Sequence, residues 1–185
     1  ISGSQSSVYD SHRSWIRELS QWVEGAISDG LPLLGVCWGH QLLAQILGGT
    51  VRGGNYELGY VEVQQEADDP IWDGLSDPFT VFATHSDHVV KMPSDARLLA
   101  SNETGVQALR YEQVYGVQFH PEYDLKTAKA MIHSKDLSER NLQHALDTCT
   151  DANVNAAGSA TRIFENFLDH VAATAPETSS SPLNA

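Results

Sequence analysis

Hydrophobic and polar positions along the chain change their rhythm three times. Between residues 14 and 28, Trp15, Ile16, Leu19, Trp22, Val23 and Ile27 recur at intervals of three and four, the spacing that lines one face of a helix. Asp29-Gly30 closes that run, and LPLLGV (31–36) follows as an unbroken apolar stretch of strand length. An apolar run without alternation suits a strand covered on both faces, as in parallel sheets. WGHQLLAQIL (38–47) returns to helical spacing and stops at Gly48-Gly49, a glycine stop signal.

From 50 to 120 the period shortens. GYVEVQ, FTVFAT, ARLLAS, VQALRY and VYGVQF are strand-length pieces rich in Val, Phe and Tyr, separated by Gly, Asp, Asn and Pro. ALRYEQVYGVQF reads as a hairpin. After HPEYD (120–124) the helical rhythm resumes in LKTAKAMIHS, LSERNLQHALDTCT and NAAGSATRIFENFLDHVAAT. The last of these sets Ile163, Phe164, Phe167, Leu168 and Val171 on one stripe, which is expected to dock on the sheet. The order predicts an α/β fold: an open, mostly parallel sheet flanked by helices. Residues 1–172 read as one domain, and 173–185, rich in Pro and Ser, as a disordered tail. No strand-plus-helix unit stands before ISGS (1–4), so the domain is expected to be N-terminally incomplete, without its first strand and helix.

Charge narrows the partners. Eleven basic and 24 acidic residues give a formal net charge of −13, which argues against nucleic acid or an anionic membrane surface. No apolar run approaches the length of a membrane span. Only four residues are Lys (91, 126, 129 and 135), a surface compatible with a high-salt cytoplasm or simply with an acidic protein. Cys37 and Cys149 are too few for a disulfide framework, and a reducing, cytoplasmic interior is the expected setting. Cys149, in LDTCTDAN, lies in a polar helix-end context and reads as structural.

Cys37 is different. GVCWG (35–39) is a G-x-C-x-G at the junction of a strand and a helix, the thiol counterpart of the G-x-S-x-G nucleophile elbow. Such a turn holds one residue in strained geometry and exposes its side chain at the carboxyl edge of the sheet. The positive end of the following helix lowers a thiol's pKa from its usual ~8.5, and the same N–H groups can receive a developing oxyanion. The competing reading is a buried cysteine in a strand-to-helix turn. A nucleophilic thiol needs a base, and the base needs an orienting group. Of eight histidines, His133, His144 and His170 fall in amphipathic helices and His12 in a polar loop. His120 ends the run VYGVQF, at the same sheet edge, and Glu122 two residues on can accept its Nδ1–H. Cys37, His120 and Glu122 are therefore candidates for a Cys-His-acid triad. His85-Ser86-Asp87-His88 resembles a metal motif but lacks a convincing remote third ligand, so no metal is expected.

These segments resemble the class I, triad-type glutamine amidotransferases, especially the glutaminase domain of GMP synthase and its stand-alone relatives. GVCWGHQLLAQILGG is similar to the family's elbow, YGVQFHPE to its His/Glu segment and ISGSQSSVYD to its oxyanion strand; ELGY (57–60) and THSDHV (84–89) resemble two further stretches. The resemblance covers most of residues 1–125 and implies a flavodoxin-like fold of that class. It implies that Cys37 attacks the side-chain amide of glutamine, that His120 shuttles the proton and that Glu122 orients it. It implies an oxyanion hole from the backbone N–H groups of Trp38 and Ser4, and substrate contacts from Gln41 and from the backbone around Ser86 and Asp87. Ser4-Gln5 departs from the Gly-Pro of many relatives, which predicts a conformational adjustment there. No cofactor is implied. The substrate would be glutamine or a γ-glutamyl compound, and the ammonia acceptor a synthetase on a separate polypeptide. Two other readings are a γ-glutamyl peptide or amide hydrolase using the same triad, and a catalytically silent binding module.

Overall fold

The computed structural model describes residues 1–174. Helix α1 (Ser14–Ser28) buries Ile16, Val23 and Ala26 and leaves Trp22 outside. It is followed by β1 (Leu33–Val36), α2 (Trp38–Ile46), β2 (Thr50–Gln65), a single 3-10 turn at Pro70–Trp72, β3 (Phe79–Lys91), β4 (Arg97–Asn102), β5 (Gly105–Tyr111) and β6 (Val114–Val117). Four helices complete the described chain: α3 (Leu125–His133), α4 (Glu139–Asp147), α5 (Asp151–Ala157) and α6 (Arg162–Thr174).

The strands form one six-stranded sheet in the order β1-β6-β5-β4-β2-β3, with helices around it. The expected α/β architecture is present. Parallel pairing is confined to β1 and β6, where Leu33 to Val36 run beside Val114 to Val117; the other neighbours are antiparallel. Chain connectivity explains this. The helix-bearing crossover lies between β1 and the later strands, while short turns join the rest and permit only hairpins. The predicted hairpin is β5–β6, closed by Glu112-Gln113 with Glu112 at φ 51°.

Both faces of the central strands are covered, which is why they read as continuous apolar runs. On one face Val36, Leu99, Val117 and Phe119 pack with Ile163 of α6; on the other Leu33, Leu109 and Val114 pack with Trp38, Leu42 and Leu43 of α2 and with Val23 of α1. A third cluster seats Ala128, Ile132 and Ala145 of α3 and α4 against Tyr60 and Phe82 on the β2–β3 ribbon. That ribbon is longer than its apolar pieces suggest, because β3 continues through HSDHVV.

Three details depart from the expected C-terminal region. The last helical stretch is two helices, broken at Gly158–Thr161, where small and polar residues interrupt the apolar period. Leu168 does not join the docked stripe and is 63% exposed. Ala173 and Thr174 still belong to α6, and the rest of the proposed tail lies outside the described residues. At the other end, the Ile1 amine donates to Leu34 O (2.7 Å) and Val36 N–H donates to Ile1 O (2.9 Å), so the first residue runs along the free side of β1.

Candidate active site

Cys37 sits at the N-cap of α2 with φ 53° and ψ −104°, a conformation rarely adopted by a non-glycine residue. The turn holds because its flanks are glycines. A Cβ on Gly35 would come within 2.5 Å of Gly39 C, and one on Gly39 within 2.3 Å of Ile1 O. Cys37 N–H donates to Val117 O (2.8 Å), tying the elbow to β6. Strand β6 then carries the chain to Gln118 and Phe119, and His120 N–H donates to Phe82 O (2.8 Å) of β3. Neighbouring strands thus deliver Cys37 and His120 to the same sheet edge. A Cβ placed on Gly3 would lie 3.4 Å from His120 Cε1 and 3.8 Å from Cys37 Cβ, so ring and thiol flank one point. Among other residues, both line a cavity of about 310 Å³ together with Gly3, Ser4, Thr84 and Glu122.

Glu122 Oε1 accepts a hydrogen bond from His120 Nδ1 (2.7 Å), which turns Nε2 toward the cavity. Burial disfavours charge on His120, yet interactions with Cys37 and with Glu122 outweigh it and raise its pKa to about 9. The thiol's one well-aligned hydrogen bond runs instead to Thr84 O (3.9 Å). The Cys37–His120 contact is therefore electrostatic proximity rather than an aligned hydrogen bond. His40, one turn into α2, is no rival base. Full burial and the nearby His85 push its pKa down to about 3, and its ring packs on Gly116.

A second cavity of about 320 Å³ adjoins the first and shares Cys37, Ser4 and Thr84 with it. The predicted substrate residues Gln41, Ser86 and Asp87 all line it. Gln41 is buried and spends its amide N–H groups on Asp87 O (2.8 Å) and Gln118 Oε1 (3.1 Å). It holds the Asp87 backbone in place, and its donors are not turned to the cavity. Ser86 is exposed, and Asp87 Oδ1 accepts from Tyr9 OH (3.1 Å). Trp38 opens α2, where first-turn N–H groups lack an acceptor within the helix. Ser4 lies on the rim of both cavities, its Oγ accepting from Ser6 N–H (3.1 Å).

Beneath the wall lies a pair that the motif pattern did not single out. Glu57 and His85 are cross-strand partners on β2 and β3, and both are buried. His85 Nε2 meets Glu57 Oε2 at 2.8 Å and its Nδ1 meets Asp87 O at 3.1 Å; only a doubly protonated ring donates to both. Asn102 donates to Glu57 Oε1 (2.8 Å) and Gln107 to Oε2 (3.2 Å). Burial would push the Glu57 carboxyl up, but the hydrogen bond and charge of His85, with Asn102, hold it below the usual range. ELGY and THSDHV both contain this pair, but its two members are 28 residues apart, and neither spacing nor period reveals that they meet.

The matches to known proteins agree with this geometry. Residues 1–139 match the model of the glutamine amidotransferase class-I family. The chain is 40% identical over 123 residues to a GMP synthase [glutamine-hydrolyzing] of Pyrobaculum aerophilum, covering 66% of this chain and 23% of that protein. It is 42% identical over 96 residues to one of the separate subunits of a GMP synthase [glutamine-hydrolyzing] of Pyrococcus abyssi, covering 50% of this chain and 51% of that one. The match thus spans about half the length of the Pyrococcus protein and about a quarter of the longer enzyme. A crystal structure of a glutamine amidotransferase from Thermotoga maritima superposes with TM-score 0.75 at 26% identity, covering 91% of this chain and 74% of that one.

Proposed function

Since this chain belongs to the glutamine amidotransferase class-I family, we propose that it hydrolyses the side-chain amide of glutamine through a Cys37 thioester and releases ammonia to an acceptor on a separate synthetase polypeptide. One observation supports this most: Cys37, His120 and Glu122, from an elbow and a distant strand end, converge on one cavity, with the His120–Glu122 bond at 2.7 Å. The relatives described as subunits of glutamine-hydrolyzing GMP synthases suggest which type of synthetase accepts the ammonia.

With its pKa raised to about 9, His120 is an imidazolium at neutral pH and stands beside a thiolate. Cys37 Sγ attacks the amide carbon, forming a C–S bond while the carbonyl oxygen takes the negative charge. The N–H groups of Trp38 and Ser4 receive that oxyanion, each donor contributing ~10²–10³ in rate. Collapse breaks the C–N bond, and His120 gives its Nε2 proton to the departing nitrogen, which leaves as ammonia. The neutral imidazole then takes a proton from water as that water attacks the thioester. Glutamate departs, and the thiolate–imidazolium pair is restored. Acid–base work by His120 contributes ~10²–10⁴. A cytoplasmic location belongs to the same reading, since a free thiol persists in a reducing compartment.

Purified protein supplied with glutamine should release ammonia, and a glutamine-mimicking electrophile should alkylate Cys37. Parallel assays with γ-glutamyl peptides test the substrate. Ammonia release by Cys37→Ser at the wild-type rate would remove the mechanism, and faster cleavage of the peptides than of glutamine would replace the substrate.

A further inference from the structure

Lys135 lies just past the end of α3 and lines both cavities, on the wall between the thiol and the pocket of Ser86 and Asp87. It is the one lysine or arginine that lines either. Its side chain is half-buried, and its ammonium lies 5.7 Å from the centre of the Tyr56 ring. Tyr56 is itself anchored to the cavity floor by a hydrogen bond between its OH and Thr84 Oγ1 (3.0 Å). Among the described residues the ammonium makes neither an ion pair nor a side-chain hydrogen bond.

An unpaired cation held on an aromatic ring at the mouth of a pocket is poised for an anion. The other charged groups lining the two cavities are the carboxylates Asp87, Asp136 and Glu122 and the histidines His85 and His120. His120 faces the reacting amide, and His85 is committed to Glu57 and Asp87 O. The carboxylates would repel a negative group unless a cation offset them. The chain has only four lysines, and this one is turned inward over a site.

Building on the glutaminase reading above, we propose that Lys135 is a specificity residue that recognises the free α-carboxylate of the substrate, so that the site selects amino acids over α-amidated or internal glutamine. On binding, the ammonium exchanges the Tyr56 face for a charge-assisted hydrogen bond, and Tyr56 keeps the side chain directed inward in the empty state.

The test compares L-glutamine with its α-carboxamide, which keeps the side-chain amide but lacks the negative charge. Both are measured for binding by calorimetry and for ammonia release, in wild-type protein, Lys135→Met and Lys135→Arg. Lys135→Met should weaken glutamine binding and raise its KM about tenfold, the scale of one charge-assisted hydrogen bond. Its kcat should stay within about twofold of wild type, since no reacting atom is touched. The α-carboxamide should bind both proteins equally, and Lys135→Arg should restore most of the preference. A preference for glutamine that is absent in wild type, or undiminished in Lys135→Met, overturns the assignment. Intact preference in binding without ammonia release removes the hydrolysis reading and leaves the carboxylate assignment standing.

Discussion

Two histidine–carboxylate pairs stand beside the same cavities with nearly equal bond lengths, 2.7 Å for His120–Glu122 and 2.8 Å for His85–Glu57. They differ in what remains free. His120 spends one nitrogen on Glu122 and keeps the other for the cavity, and the Glu122 side chain is 42% exposed. His85 has both nitrogens engaged, and both Glu57 oxygens receive donors in a site where its side chain is 7% exposed. A pair with an open nitrogen can move a proton; a pair with every position filled can only hold shape. The first is suited to chemistry, the second to bracing β2 against β3 and fixing the Asp87 carbonyl that Gln41 also grips.

The widest separation between the pairs should come from His120→Asn. Ammonia release is expected to fall by ~10²–10⁴, with the thermal transition within a few degrees of wild type. A rate within tenfold of wild type would break the comparison at its centre. Glu57→Leu should act the other way round. Removing one member of a buried pair typically costs ~3–5 kcal/mol, so urea denaturation should show a large loss of stability, while the molecules that remain folded lose far less activity than His120→Asn. If Glu57→Leu is as stable as wild type, the buried pair is no brace.

Glu122→Gln sharpens the contrast through pH. His120 is raised to about 9 in the folded protein against 6.5 when free, so its favourable interactions are complete below pH 6.5 and vanish as the pH passes 9. The wild-type kcat/KM should therefore fall along a basic limb near pH 9, where the acid that protonates the leaving group is lost. In Glu122→Gln that limb should move to lower pH and the rate drop about tenfold. Stability should change by less than about 1 kcal/mol, because the carboxylate is half in water. The smallest effect is expected from Asn102→Ala, which removes one donor from Glu57. A loss of about 1 kcal/mol with unchanged turnover would mark the network as supporting rather than catalytic.

Local signals carried the elbow. Gly35 and Gly39 stand where any Cβ would strike backbone, and this requirement is written within five residues. The His120–Glu122 pair is equally local, two positions apart at the end of an apolar run. The sheet was less legible. GYVEVQ and FTVFAT marked only the apolar segments of β2 and β3, because the polar segments beyond them have no alternation to betray a strand. The role given to Gln41 illustrates the same limit: side-chain type suggested a substrate contact, and its donors turned out to be spent on Asp87 O and Gln118.

By itself, then, the order of residues determined the α/β class, the strained cysteine turn and the local histidine–glutamate pair, because each depends on groups only a few bonds apart. Tertiary structure alone decided that the thiol and the imidazole share a cavity, that Glu57 meets His85 across a ladder and that Lys135 leans over Tyr56. Those meetings depend on strand order, register and the path of loops. Such features follow from the summed packing of the whole chain, and no short window of sequence contains that sum.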